Sequence, residues 1–331
     1  MLGPMRALAQ DVLEAPPAVR AIRVEHIERR LLRYSVQFGG DRAPWSVIGK
    51  IYENESEGQR AFDGLRGLWD GGFPQQPPAD IQIPRPYAYL TALRLVLMEE
   101  VPGTALKKLV RQRLAGPAEM QLFAAGLAKL HRSALAPGKP FRVDDHLEIR
   151  CAGLHEAMAD AFPDIRARVR WMVERARELE AGQEPPRTAV HGDFHLGQVH
   201  VRGGELWILD LDPLHFGDPA YDVAMVFVML KHLEQKMRDP AYIRMLCDGF
   251  IAAYGALNGY EAAARVPLHI ALIHLKRACK RFRYQDEPGW PETIRRQIEE
   301  GATCLERMGA LATPRSASDV VDVYARCPVT V

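Results

Sequence analysis

The run AVHGDFHLGQVHVRGGELWILDLDPLHFGDPAYDVA (189–224) places an aspartate, Asp193, five residues before an amide, Gln198; a Gly-Gly turn and an apolar strand then lead to a second aspartate, Asp210. A carboxylate able to orient a hydroxyl, with an amide oxygen and a second carboxylate able to hold a hard divalent cation, are the groups magnesium-assisted phosphoryl transfer requires. Alone, Asp193 would read as an ordinary turn residue. The joint pattern assigns it the role of accepting or orienting a hydroxyl proton, with Gln198 and Asp210 holding Mg²⁺. Asp212 faces the same side of the strand as Asp210 and reads either as a further metal ligand or as a structural residue before Pro213. His191 reads as a buried scaffold histidine. Asp218 and Asp222 open the next helix, where carboxylates serve as caps, and Asp222 has the alternative role of bracing the loop from below.

Rigid elements must carry these groups. Residues 21–38 alternate apolar and polar in two runs, the pattern of half-buried antiparallel strands. WSVIGKIY (45–52) predicts a third strand after the Gly39-Gly40 turn. Residues 55–69 predict a helix with Phe62, Leu65, Leu68 and Trp69 on one face, stopped by Gly71-Gly72. Two short strands, 87–90 and 93–99, follow a proline- and glutamine-rich loop. Beyond Pro102-Gly103 the periodicity is helical over 119–132, 147–181 and 219–310, broken near Pro240, 255–259 and 288–291. The fold class is therefore α+β and two-lobed: a small antiparallel β lobe (1–98), a link (99–104), a larger, mainly helical lobe (105–312) and a polar tail (313–331). In such an architecture the lysine of the third strand, Lys50, reaches the donor phosphates and pairs with a glutamate of the next helix, Glu57 or else Glu55. Met98, Glu99, Glu100 and Val101 would offer backbone groups to a nucleotide base.

Lys and Arg total 43 against 42 Asp and Glu in 331 residues, so the basic excess expected of a nucleic-acid partner is missing. Five scattered cysteines without a C-x-x-C pair suggest reduced thiols and a cytoplasmic location. No apolar run approaches the length of a membrane span, and the N-terminus lacks the features of a secretion signal.

HGDFHLGQV followed by ILDLDPLHFGDPAYDVA resembles the aminoglycoside phosphotransferase/choline kinase family; SVIGKIYENESEGQRAFDGLRGLWDGG, LRLVLMEEVPGTAL and GLAKLHRS are also similar to it, over roughly residues 20–310. The resemblance implies a protein-kinase-like fold and a small-molecule kinase that transfers the γ-phosphate of ATP or GTP, with Mg²⁺, to a hydroxyl of a sugar, amino alcohol or antibiotic-like acceptor. It matches Asp193 to the catalytic aspartate, Asp210 to the metal-binding aspartate and Lys50 to the phosphate-contacting lysine. The sequence departs from the family pattern in three places. Gln198 replaces the usual asparagine, in wording that resembles maltokinases. No Gly-rich loop joins the first two strands. Lys276, Arg277, Lys280, Arg281 and Arg283 form a basic run that reads as a solvated helix face or, if it faces the cleft, favours a neutral or anionic acceptor. Two other readings compete: a zinc or manganese hydrolase built on His191, Asp193 and His195, which would need ligands beyond the isolated His131, His146, His155, His215 and His232, and a catalytically silent nucleotide-binding module. Oligomeric state is not encoded legibly.

Overall fold

Alternation of side chains builds the first sheet. In β2 (Leu31–Phe38) every second residue (Leu32, Tyr34, Val36, Phe38) is buried, as a pleated strand with one solvated face demands. It pairs antiparallel with β1 (Val19–Glu28) and with β3 (Trp45–Ile51). The computed structural model describes residues 2–13, 18–40, 42–133, 138–181, 188–285, 288–308, 316 and 319–320. The polar tail expected from residue 313 lies outside them, apart from residues 316, 319 and 320.

The chain divides into two compact units, the first comprising Met1–Thr104, Ser133–Leu135 and His200–Leu214. Its five-stranded sheet has the order β1-β2-β3-β6-β5, with β5 at Pro86–Leu90 and β6 at Leu95–Glu99. Helix α1 (Leu2–Val12), which the sequence reading did not anticipate, buries Met5, Leu8 and Ala9 in one cluster with Tyr34, Val36, Phe38 and Leu97. Helix α2 (Glu55–Asp70) starts at Asn54, whose side chain accepts the Glu57 N–H at 2.9 Å, and buries Ala61, Phe62, Leu65 and Leu68. A second sheet follows the order β4-β10-β9-β7, with β4 at Ile81–Gln82, β7 at Thr104–Ala105, β9 at Val199–Arg202 and β10 at Glu205–Ile208. The segment carrying Asp210 and Asp212 thus groups with the β-rich unit, whereas the sequence reading placed it in the helical lobe.

The second unit is mainly helical. It contains α3 (Leu106–Arg111), α4 (Pro117–His131), α5 (Val143–Asp145) with a π-helical turn His146–Arg150, α6 (Leu154–Ala161) and α7 (Arg166–Glu180). Strands β8 (Thr188–Val190) and β11 (His215–Gly217) pair antiparallel. Then come α8 (Ala220–Met237), α9 (Pro240–Asn258), α10 (Val266–Tyr284) and α11 (Trp290–Met308). Met158, Val169, Met172, Leu272, Leu275, Ile294 and Ile298 form part of one apolar core across α6, α7, α10 and α11. Cys151, Cys247, Cys279 and Cys304 are buried thiols outside any disulfide. Among the described residues no helix is long and apolar enough to cross a membrane.

Next to Lys50, Gly49 leaves room for a ring: a Cβ there would lie 2.6 Å from Tyr34 Cε2 and 3.0 Å from Leu95 Cδ1. Both neighbours belong to the buried face of the sheet, so neither can swing into solvent. Gly49→Ala is expected to destabilise the protein by about 1–3 kcal/mol, the cost of overpacking, read as a lower midpoint in urea. An unchanged midpoint would show that the Tyr34 ring gives way freely.

Candidate active site

A fully buried carboxylate holds the HGD turn. Asp222, in the first turn of α8, accepts the His191 N–H at 2.8 Å and the Gly192 N–H at 2.9 Å. His131, at the end of α4, donates from Nε2 to the same carboxylate at 3.1 Å, and its Nδ1 lies 2.7 Å from the Tyr254 hydroxyl. Burial alone would push the Asp222 carboxyl up. The His131 hydrogen bond and charge, with the charge of His191 and its backbone N–H, outweigh burial and hold Asp222 below the ordinary carboxylate value. Gly192 has φ +79°, the left-handed conformation a side chain would disfavour, and turns the chain so that Asp193 follows directly. On the other side of Asp193, Phe194 is fully buried and stacks on Phe123 at 4.6 Å between ring centroids. Burying a ring of this size contributes about 1.5–3 kcal/mol, so the loop is pinned at both ends.

Between these anchors Asp193 is half-buried and faces two nitrogen groups. Lys276 Nζ of α10 lies 3.5 Å from Oδ1, and His195 Nε2 lies 3.7 Å from Oδ2. Burial raises the Asp193 carboxyl, but the charge of Lys276, then His195 and His191, more than compensates and keeps it below its ordinary value. His195 Nδ1 accepts the Gly197 N–H at 3.0 Å, which leaves the ring proton on Nε2, the nitrogen that faces Asp193. Burial lowers the His195 basicity, so the ring stays neutral at neutral pH. The Gln198 N–H donates to the His195 carbonyl at 2.8 Å just before β9. The basic run of α10 therefore divides: Lys280 and Arg283 are exposed, whereas Lys276 and Arg277 are half-buried, and Lys276 meets Asp193. That contact was missed in the sequence, where the run read as a uniform face.

In the first unit, β3 and the end of β10 bring Lys50, Asp210 and Asp212 together. Lys50 Nζ lies 2.6 Å from Asp210 Oδ1 and 2.6 Å from Asp212 Oδ2. Burial would lower the lysine, but Asp212 and Asp210 outweigh it and hold the ammonium charged. The glutamate expected to pair with Lys50 does not: among the described residues its ion pairs are with the two aspartates, while Glu57 sits in the first turn of α2 and the Glu55 carbonyl accepts the Tyr89 hydroxyl. The physical reason is reach: the carboxylates of the segment after β10 approach Lys50 directly, whereas Glu57 belongs to a helix turn whose N–H is tied to Asn54. Tyr52, which sequence reasoning overlooked, donates its hydroxyl to Asp212 Oδ1 at 2.8 Å, and its ring lies beneath the Lys50 ammonium at 5.7 Å. The period of two residues that puts positions 50 and 52 on one side of the strand was the available signal. Asp210 itself has φ +55°, an uncommon conformation for a residue with a side chain and one concentrated at functional sites.

The linking residues are ordinary strand and loop backbone. Met98 pairs with Ile48 and Pro86 in β6. The Glu99 N–H donates to the Arg85 carbonyl at 2.9 Å, and Arg33 lies 2.7 Å from the Glu100 carboxylate, just before Val101. His191, Asp193 and His195 do not form a metal centre; among the described residues no group of three His, Cys, Asp or Glu side chains is placed to hold an ion. Two carboxylates converging on a cation, as Asp210 and Asp212 do on Lys50, offer hard oxygens of the kind magnesium takes alongside water and phosphate.

The sequence model of the phosphotransferase enzyme family matches residues 72–264, more than half of the chain. The chain belongs to this family and is a phosphotransferase. A comparison with curated protein sequences finds no match. Among solved structures, a choline/ethanolamine kinase family protein from Mesorhizobium loti is similar with a TM-score of 0.60 at 16% identity, over 98% of this chain and 100% of the other. A thermostable mutant of aminoglycoside phosphotransferase APH(4)-Ia, in ternary complex with AMP-PNP and hygromycin B, gives 0.60 at 15% identity over 93% and 99%. An ethanolamine kinase from Plasmodium vivax gives 0.56 at 14% over 87% and 81%. At such identities the likeness establishes a shared fold.

Removing a buried charge that holds two backbone N–H groups leaves both unsatisfied. Asp222→Ala is expected to lower unfolding stability by about 3–5 kcal/mol; a loss in urea denaturation below about 1 kcal/mol, the worth of a single ordinary hydrogen bond, would show that the HGD turn is held by other means.

Proposed function

We propose that the protein transfers the γ-phosphate of ATP or GTP to a hydroxyl of a small molecule, the family resemblance pointing to a sugar, an amino alcohol or an antibiotic-like compound. The convergence of Asp210 and Asp212 on the Lys50 ammonium carries this reading most strongly. It supplies a cation on β3 for donor phosphates and, just past β10, carboxylates for a metal. Asp210, with Asp212 and the amide oxygen of Gln198 as further ligands, would hold Mg²⁺, which when bound neutralises charge on the phosphates. Lys50 exchanges a carboxylate for a phosphate oxygen when the nucleotide arrives, a trade of one anionic partner for another. The backbone of residues 98–101 would receive the base.

Asp193 orients the acceptor hydroxyl. The acceptor oxygen bonds to the γ-phosphorus while the bond to the β,γ-bridging oxygen breaks; the hydroxyl proton passes to Asp193 and the nucleoside diphosphate leaves. A carboxylate of lowered basicity suffices, because in a loose phosphoryl-transfer transition state the proton is surrendered late. Asp222 acts through the loop, as a positioning residue.

Calorimetric titration with MgATP and MgGTP is expected to show metal-dependent binding that Asp210→Asn abolishes. Asp193→Asn should retain nucleotide binding but lose about 10²–10⁴-fold in kcat. Wild-type turnover in both variants, or no binding of either nucleotide to the native protein, would overturn the reading.

The pH profile follows from the sign of the shifts. Asp193 must be ionised to accept a proton, and its value lies below the ordinary 3.8, so the active form persists throughout the mildly acidic range. Burial lowers His195 from its ordinary 6.5, so the ring is neutral at neutral pH and above. The kcat/KM profile is expected to be flat between pH 6.5 and 8, and an acid limb centred near the ordinary histidine value, about 6.5, would show that a protonatable histidine takes part.

A further inference from the structure

Strand β1 stands at the edge of the first sheet, with no further strand beside it among the described residues. Every residue from Arg23 to Glu28 is exposed, including the apolar Val24 at 48% and Ile27 at 41%. An edge whose alternate N–H and C=O groups point away from its neighbour is a template for another strand. Charges on an edge ordinarily prevent such pairing, and β1 carries Arg20, Arg23, Glu25 and Glu28. Their positions decide the matter. The pairing of β1 with β2 is regular from Ala21 to His26, with irregularities on either side, so this stretch is the part able to receive a partner.

A second copy of β1 can lie antiparallel to the first about a two-fold axis normal to the sheet. Matching of the two faces then requires the axis to pass through a residue. With the axis at Val24, Arg23 of each copy lies opposite Glu25 of the other, Ile22 opposite His26, and Val24 opposite its own twin; farther out, Arg20 is level with Glu28. Moving the axis to Arg23 sets arginine against arginine, and moving it to Glu25 sets glutamate against glutamate. Like charges directly opposite are destabilising, so the charge pattern selects one register. The same register sorts the faces. Ile22 and Val24 are level with Val36 and Tyr34 of β2, on the side of the apolar cluster that contains Met5 and Leu8. Arg23 and Glu25 are level with Ser35 and Arg33 on the opposite side, where Arg33 Nη1 holds Glu25 Oε2 at 2.9 Å. The seam between two copies would be apolar on one face and ionic on the other.

We propose that β1 is a self-recognition edge, through which two copies of this chain pair antiparallel about an axis at Val24 and join their sheets. The occupant is a second copy because the charge sequence of β1 complements itself in that register.

Sedimentation velocity of the full chain tests the pairing. One strand per copy is a small interface, so dimer is expected to grow in between about 1 and 200 µM. Arg23→Glu and Glu25→Arg each place like charges opposite one another, and each variant alone should remain monomeric. An equimolar mixture of the two restores both Arg–Glu pairs and should recover the dimer, a result that misfolded variants cannot produce. Val24→Cys reads the register, because only a residue on the axis meets its twin. An antiparallel pair holds the two Cα atoms about 4.5–5.5 Å apart, within the span of a disulfide. Mild oxidation should therefore cross-link Val24→Cys but not Ile27→Cys, with the native chain and its five cysteines as background. Circular dichroism melting verifies that the variants are folded. The proposal is overturned if the native protein stays monomeric over the whole range, if the mixture of variants does not associate, or if Val24→Cys cross-links no more than Ile27→Cys. A dimer that survives either single reversal also overturns it and places association on another surface. The readout is mass rather than turnover, so failure here leaves the phosphotransfer reading untouched.

Discussion

A carboxylate with no access to water must be neutralised by its surroundings or not be charged at all. Asp222 meets that condition with two successive backbone N–H groups and one histidine, and the geometry of the HGD turn is the consequence. Backbone donors at His191 and Gly192 can reach two oxygens of one carboxylate only if the chain turns sharply between them and Asp193. That is why a left-handed glycine stands there. The apolar anchor Phe194 then fixes the remaining rotation against Phe123. Asp193 inherits its direction from groups that never need to touch a substrate.

The first unit solves a complementary problem. Two carboxylates on residues 210 and 212 repel one another, and the backbone at Asp210 is strained as well. Lys50 lies between them and Tyr52 donates to Asp212, which makes the arrangement tolerable. Such a cluster is a poor way to stabilise a fold, because a strand end closes more cheaply with apolar residues. It does gather two hard anionic groups and an ammonium at one place just past β10. Strain and charge are therefore concentrated in short segments, while the sheet and the α6-α7-α10-α11 core around them are conventionally apolar.

Much of this was legible in the sequence where the signal is local. The burial alternation of Leu32, Tyr34, Val36 and Phe38, the α2 face and the breaks near Pro240 and residues 288–291 follow from periodicity and from proline and glycine chemistry. The family was legible in the wording of HGDFHLGQV and ILDLDPLHFGDPAYDVA. Legibility ended where partners come from distant parts of the chain. His131 and Tyr254 approach Asp222 through the packing of α4 and α9, which no local pattern encodes. The partner of Lys50 was misread because the nearest helix glutamate was considered, whereas carboxylates of the segment after β10, far along the chain, reach it. Helix α1 went unread because its apolar face, Met5, Leu8 and Ala9, gains meaning only against the sheet it covers.

The basic run of α10 shows why composition of a segment and function of a residue are different questions. Five cations in eight positions satisfy any rule for a solvated face, and for Lys280 and Arg283 that description holds. A helix turns through a full circle every 3.6 residues, however, so a continuous run necessarily sends some of its members inward. Position 276 follows Leu275 and precedes Ala278 and Cys279, all buried. The inward member could have been satisfied by any acid of the core, yet the carboxylate it meets is the one that would receive the acceptor's proton. A lysine there holds the Asp193 carboxyl below its ordinary value, so one inward turn of a basic helix sets the charge state of a residue more than eighty positions earlier in the chain.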